Sequence, residues 1–200
     1  MFRIRRIYDD VSAADRAPLA QVQAIIADRF PTARPRDLLK VPRQLKDPLR
    51  YRYRSILLTV ENAAGKVRGF AMLLHFTDLN IAFLELISTA AGSGSRGMGS
   101  MLYQLVREEA LSLGATGLFL ECSIDDERVT DAQLRKQNVQ RMRFYERFGV
   151  RPILNNAYDS PVHPGDTDLY FLMYDGLGRY TLPRRRFLRR VVAAILLRKY

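Results

Sequence analysis

The sequence predicts an α/β fold, a mixed and mostly antiparallel sheet flanked by helices with one central βαβ crossover. Three observations predict it. Ser55 to Glu61, Val67 to Thr77 and Ile81 to Thr89 are rich in strand formers and are separated only by short turns, which makes an antiparallel meander. The third of them runs into a glycine-rich loop and then an amphipathic segment, Gly97 to Leu113, with Leu102, Leu105, Val106, Glu109 and Leu113 on one side. The apolar run Gly117 to Cys122 follows, and a strand–helix–strand crossover of this length makes its two strands parallel.

The other elements follow in chain order. Ser12 and Asp15 have the spacing of a capping box, and Leu19, Val22, Ile25, Ile26 and Phe30 recur at helical spacing, which predicts a helix over Ala13 to Arg29. Pro31, Pro35 and Pro42 break the next stretch, leaving a short second helix around Arg36 to Lys40. Asn62 to Lys66 carries a hairpin turn signal, and Asp78 to Asn80 turns the chain again. Gly114 stops the helix of the crossover. Asp131 to Phe148 is expected to be helical and to end at Gly149. Strands are expected near Arg151 to Asn156 and Asp168 to Tyr174, joined by a loop with Pro161, Pro164 and Gly165. Pro183 to Tyr200 reads as a basic amphipathic helix with a stripe of Leu188, Val191, Val192, Ile195 and Leu196.

A chain of 200 residues suits one domain with a proper core. The expected division is a domain over 1–180 and a helical tail or linker over 181–200. Cys122, the single cysteine, excludes an internal disulfide, and the opening residues carry no signal-peptide pattern, so a cytoplasmic location is expected. No apolar stretch approaches the roughly 20 residues that span a bilayer. The net charge of +11 concentrates in the tail: Arg184 to Tyr200 holds seven Lys or Arg and no acid, which leaves +4 for the rest. A body of that charge gives no reason to expect a specific nucleic-acid partner.

The glycine loop carries the chemistry. A strand, a glycine-rich turn and a helix start point a row of backbone N–H groups at an anion, most often a phosphate. Two frames fit. Gly92-x-Gly94-x-x-Gly97, with Glu121 at the end of the next strand, is a dinucleotide fingerprint. Against it, the chain lacks the repeated βαβ pattern of a dinucleotide fold. The second frame centres the loop on Gly97-Met98-Gly99.

In that second frame, Gly94-Ser-Arg-Gly97-Met-Gly99 resembles the pyrophosphate loop of the GNAT superfamily of acyl-CoA-dependent N-acetyltransferases, whose pattern is Arg/Gln-x-x-Gly-x-Gly/Ala after the fourth strand. Gly94 stands where the pattern has Arg or Gln, and Arg96 is the nearest basic residue. A second stretch, Asn138-Val-Gln-Arg-Met-Arg-Phe-Tyr145-Glu-Arg-Phe-Gly149, resembles the family's Asn, Tyr and Gly signature. Its seven-residue spacing puts Asn138, Arg141 and Tyr145 on one helix face. Both motifs occur in order within roughly Ala13 to Tyr174.

The resemblance implies acetyl-CoA as cosubstrate, lying between the strand that ends near Thr89 and the strand that ends near Cys122. It implies contacts from Ile87, Ser88 and Thr89, from the loop residues Gly94, Ser95, Arg96, Gly97, Met98, Gly99 and Ser100, and from Asn138 and Arg141. No metal is implied. Tyr145 would protonate the departing thiolate. Because an alkyl ammonium has a pKa of about 10.4, a base must remove its proton before attack. Glu121 and Glu85 are the carboxylates on the two flanking strands. Cys122 lacks a histidine neighbour in sequence that could make it a nucleophile. Ser123 to Gln137 is longer than the family's usual connection and includes Asp125 and Asp126, either a solvated loop or an acidic rim for a cationic amine.

The expected activity is acetyl transfer from acetyl-CoA to a primary amine, on a small molecule or a lysine side chain. The opening ten residues, Asp47 to Ser55 and Val191 to Tyr200 look like the acetyltransferase half of bacterial proteins in which a GNAT domain precedes a histone-deacetylase-like domain. That resemblance implies an alternative, a non-catalytic acyl-CoA-binding module. It also implies that the tail helix could link to a deacetylase-like domain or meet a second copy of the chain. A helix of this kind is also compatible with an anionic membrane or nucleic acid.

Overall fold

The computed structural model describes residues 2–9, 11–30, 35–92, 97–156, 158, 169–179 and 181–199. The chain packs as two compact units, Met1–Ala115 and Thr116–Tyr200.

The first unit holds four antiparallel strands in the order β1 (Arg3–Ile7), β2 (Arg54–Glu61), β3 (Val67–Phe76) and β4 (Ile81–Thr89). The meander over β2 to β4 is the expected one. Its first turn is built by Asn62, whose Oδ1 accepts from the N–H groups of Ala64 and Lys66 while Gly65 takes a left-handed φ of 73°. Strand β1 was not foreseen. Its Ile4 faces outward, while Arg5 lies against the buried Glu61 at 2.7 Å and only Ile7 at its end enters the core, so the strand carries no apolar alternation to read.

Among the described residues this unit also holds the helices α1 (Ala13–Arg29), α2 (Pro35–Lys46), α3 (Pro48–Tyr51) and α4 (Met98–Ser112). Helix α1 has the expected bounds, and the Ser12 hydroxyl caps the N–H of Ala14. The other half of the capping box is not made; Asp15 binds Arg5 instead. Helix α2 corrects the expectation of a short helix at Arg36 to Lys40, because it continues through Pro42. Proline removes the N–H that would bond the carbonyl four residues back, here that of Leu38. The side chain of Gln23 donates to that carbonyl at 3.0 Å. Pro18 inside α1 is treated in the same way: the carbonyl of Ala14 accepts from Arg5 Nη1 at 3.1 Å.

Helix α4 buries Met98, Leu102, Tyr103, Val106 and Ala110, so Tyr103 and Ala110 take the places expected of Glu109 and Leu113. It packs on β3 and β4. Val60, Met98 and Leu102 form a cluster with Ile87, Met101 and Leu105 around it. The interior of the strands is dense with large apolar groups, among them Phe70, Phe76 and Phe83. Each such side chain contributes about 1.5–3 kcal/mol on burial. The helix ends at Gly114, whose φ of 71° closes the turn.

The second unit holds β5 (Leu118–Ser123), β6 (Arg151–Ile153) and β7 (Tyr170–Asp175), antiparallel in the order β5-β7-β6. Strand β6 stops at Ile153, short of the expected Asn156, where Asn155 takes a left-handed φ of 56°. The loop with Pro161, Pro164 and Gly165 lies outside the described residues. Helix α5 (Ala132–Glu146) packs on β5. Asp131 caps it through the N–H of Leu134, and Gly149 ends the following turn at a φ of 83°. Helix α6 (Arg185–Lys199) belongs to this unit and buries Val191, Val192, Ala194 and Ile195. Among the described residues, no helix is long and apolar enough to cross a membrane.

Candidate active site

In the first unit the sheet is irregular at one residue. Met72 pairs with Leu86 and Leu73 with Leu84, so Glu85 is the extra residue of a bulge on β4. A bulge bends its strand and re-aims the side chain it carries. Glu85 Oε2 accepts from Gln44 Nε2 at 2.9 Å, and Lys40 Nζ lies 3.5 Å from Oε1. Gln44 is itself buried on α2, and its Oε1 accepts from the hydroxyl of Tyr53 at 3.0 Å. Burial first, then the charge of Glu85, raises the Tyr53 hydroxyl well above the ordinary phenol range, so it stays a donor. Past the bulge, Ile87, Ser88 and Thr89 become half-buried. Opposite Thr89 stands Gly69, where a Cβ would lie 2.8 Å from Leu102 Cδ1 and 3.1 Å from the Ser88 carbonyl oxygen. A side chain there would have to displace Leu102 and crowd the Ser88 carbonyl, so glycine lets α4 approach the strands closely.

The amino end of α4 differs from its neighbours. Helices α1, α3 and α5 are capped by the side chains of Ser12, Asp47 and Asp131. Helix α4 starts at Gly97, with a φ of 107°, no side-chain cap and no acid in its first turn. No side chain among the described residues caps its first N–H groups, which together with the positive end of the dipole are suited to an anion. Gly92, with a φ of 67°, precedes the loop. Gly94, Ser95 and Arg96 lie outside the described residues. Met98 is buried, while Gly99 and Ser100 are half-buried.

In the second unit Asn138, Arg141 and Tyr145 share α5, as their spacing predicts. Asn138 is buried, and its Nδ2 donates to the carbonyl of Ile124 at 2.7 Å. Its Oδ1 meets no donor among the described residues. Asn138 lines a cavity of about 350 Å³ with Ser123, Arg128, Thr130, Asp131 and Tyr170. Arg141 Nη1 donates to Ser123 Oγ at 3.0 Å. Tyr145 is buried, with the ring of Phe144 edge-on at 5.0 Å. Burial raises its hydroxyl far above the usual phenol value, and Cys122 adds to the rise. It is a proton holder at neutral pH. Burial likewise pushes the Cys122 thiol up to about 11, which makes a thiolate nucleophile scarce at neutral pH.

Glu121 precedes Cys122 on β5, but its carboxylate meets a different partner: Lys199 Nζ at the end of α6, 2.5 Å from Oε2. Neighbouring strand residues point to opposite faces. Asp126 is held by Arg128 through contacts of 3.0 and 2.7 Å, which keeps its carboxyl below the usual range. Asp125 is half-buried beside it. Gln44, Lys40 and Lys199 escape a reading of sequence spacing, because each reaches its carboxylate across a long chain separation, and Tyr53 does so because it acts through Gln44. Among the described residues, no three of His, Cys, Asp or Glu gather where they could hold a metal ion.

A family model described as "Acetyltransferase (GNAT) family" matches residues 19–150. The chain belongs to that family. Its fold is similar to solved structures at low identity. Tetrahymena GCN5 has a TM-score of 0.61 at 13% identity, with 90% of this chain and 98% of that one covered. An aminoglycoside 6'-N-acetyltransferase complexed with coenzyme A has a TM-score of 0.64 at 14% identity, covering 91% and 98%. A chimera of the spermidine N-acetyltransferase SpeG from Vibrio cholerae and hSSAT gives 0.64 at 13%, covering 94% and 99%. No curated protein sequence matches the chain. The α/β class expected from the meander and the glycine loop is the fold of these acetyltransferases.

Proposed function

We propose that the chain transfers an acetyl group from acetyl-CoA to a primary amine by direct attack. The observation that carries this reading is the uncapped amino end of α4 at Gly97, in a family whose members are acetyltransferases. Its N–H groups suit the cosubstrate's pyrophosphate. The unmet Asn138 Oδ1 suits an amide N–H of the same molecule. Backbone N–H groups near Ile87 to Thr89 polarise the thioester carbonyl and hold the developing oxyanion. The buried Tyr145 hydroxyl gives its proton to the departing thiolate. Glu121 or Glu85 takes the proton of the attacking ammonium.

The acceptor is a small amine or a lysine side chain, classes that fit an aminoglycoside or spermidine acetyltransferase among the similar structures. Asp125 and Asp126 draw the cation in. Changing both to Asn raises the KM for amine, and an unchanged KM removes them from the acceptor site. A link from the tail helix to a deacetylase-like domain or a second copy rests on the resemblance of the opening ten residues, Asp47 to Ser55 and Val191 to Tyr200.

The test of the reading is calorimetric titration with acetyl-CoA and, as a control, NADH. Binding of acetyl-CoA with none of NADH supports it. Binding of NADH instead moves Gly92, Gly94, Gly97 and Glu121 into a dinucleotide site and overturns it.

A further inference from the structure

We propose that Lys199 is an acetyl acceptor within its own chain, an inference that rests on the acetyltransferase reading above. The Lys199 amine already sits on a carboxylate singled out as a candidate base: Nζ lies 2.5 Å from Glu121 Oε2. Both side chains are nearly enclosed, each 12% exposed. The pair is therefore a held amine and its proton acceptor, not a solvated surface contact.

The choice of residue points the same way. The chain uses lysine at only five positions, Lys40, Lys46, Lys66, Lys136 and Lys199, against a large excess of arginine. In α6 the other cations are Arg185, Arg186, Arg189, Arg190 and Arg198. Arginine would serve a permanent ion pair at least as well, because its guanidinium holds a carboxylate in two places. Lysine is the cation that can lose a proton and become a nucleophile.

The step balances with acetyl-CoA as co-reactant. Glu121 takes one proton from the Lys199 ammonium. The freed Nζ lone pair attacks the thioester carbonyl carbon, and the N–C bond forms. The C–S bond then breaks, the second Nζ proton leaves, and the CoA sulfur departs as a thiol. One proton passes to solvent. The product is a neutral amide, so the ion pair to Glu121 is lost on acetylation.

The test incubates the full chain with acetyl-CoA and follows acetylation of each lysine by peptide mass spectrometry. The expected result is one acetyl group on Lys199, gained with a rate constant that does not change with protein concentration. Glu121→Gln slows that labelling by about a hundredfold or more, and Lys199→Arg abolishes it, while labelling of the other four lysines is the same in all three proteins. Lys199 labelling no faster than Lys66, or at an equal rate in Glu121→Gln, overturns the proposal as ordinary chemical acetylation. A rate constant that grows with protein concentration overturns the assignment to the chain's own machinery. An added amine that is acetylated while Lys199 is not overturns this inference and leaves the acetyltransferase reading standing. No binding of acetyl-CoA overturns both.

Discussion

Glu85 accepts a hydrogen bond from Gln44 at 2.9 Å, and it does so from the one residue of β4 that the bulge leaves without a partner on β3. The two facts belong together. The bulge turns the carboxylate toward α2, and Gln44, buried between Tyr53 and Glu85, satisfies both. Replacing Gln44 by Leu keeps the volume and removes both hydrogen bonds. Stripping a buried group of its partner costs about 1–3 kcal/mol. Gln44→Leu is expected to lose about that much in denaturant unfolding, and Glu85→Gln, which keeps an acceptor for Gln44, loses less.

Tyr145→Phe removes one oxygen from a packed ring. The edge-on contact with Phe144 and the buried seat remain. Turnover with acetyl-CoA and amine should fall by about a hundredfold or more, the usual worth of a positioned proton donor. Affinity for acetyl-CoA, read by calorimetry, should change little. A variant with full turnover takes Tyr145 out of the chemistry.

Cys122 is expected to be inert. With its thiol pushed up to about 11 and its side chain enclosed, the reactive thiolate is rare at neutral pH and out of reach. Reaction with a thiol reagent should be slow in the folded chain and fast in denaturant. Cys122→Ala should retain acetyl transfer, which would exclude a covalent acetyl-enzyme on this sulfur.

His75 makes stability depend on pH. Burial holds its pKa below the ordinary value, with Arg54 opposing protonation and Asn80 favouring it. The unfolded chain therefore takes up its proton at about pH 6.5, and the folded chain does so only at lower pH. As pH falls through 6.5 the unfolded state binds more protons and stability drops, until the folded state also titrates. Tm should decline over that window, and the decline should be smaller in His75→Gln.

Gly117 leaves no room for a methyl group: a Cβ there would stand 2.5 Å from Tyr174 Cε2. Tyr174 is itself packed on Phe119 at 5.2 Å. Gly117→Ala should destabilise the chain by about 1–3 kcal/mol, whereas Ala at the solvent-facing Ser112 should have little effect on unfolding.

The meander, the helix of the crossover and the helix carrying Asn138 to Tyr145 are legible in sequence because each rests on local signals: turn residues, a period of apolar positions, and a fixed spacing on one face. Strand β1 is not, because the closest partner of its Arg5 is Glu61, far away in the chain. The extent of α2 is not, because the group that makes Pro42 tolerable is Gln23, on another helix. The candidate carboxylates could be named from strand position. What surrounds them could not, since Gln44 and Lys199 come from elements that sequence spacing does not connect to them.

The two prolines make secondary structure conditional. The carbonyl of Ala14 in α1 accepts from Arg5 of β1, and that of Leu38 in α2 accepts from Gln23 of α1. Each helix therefore borrows a donor from the element before it, and the loans run in one direction along the chain. A peptide of α2 alone has no lender and should be unstructured, while the same residues are helical once β1 and α1 are in place. In the amino-terminal third of this protein, then, the continuity of a helix past its proline is recorded in the side chain of the element before it.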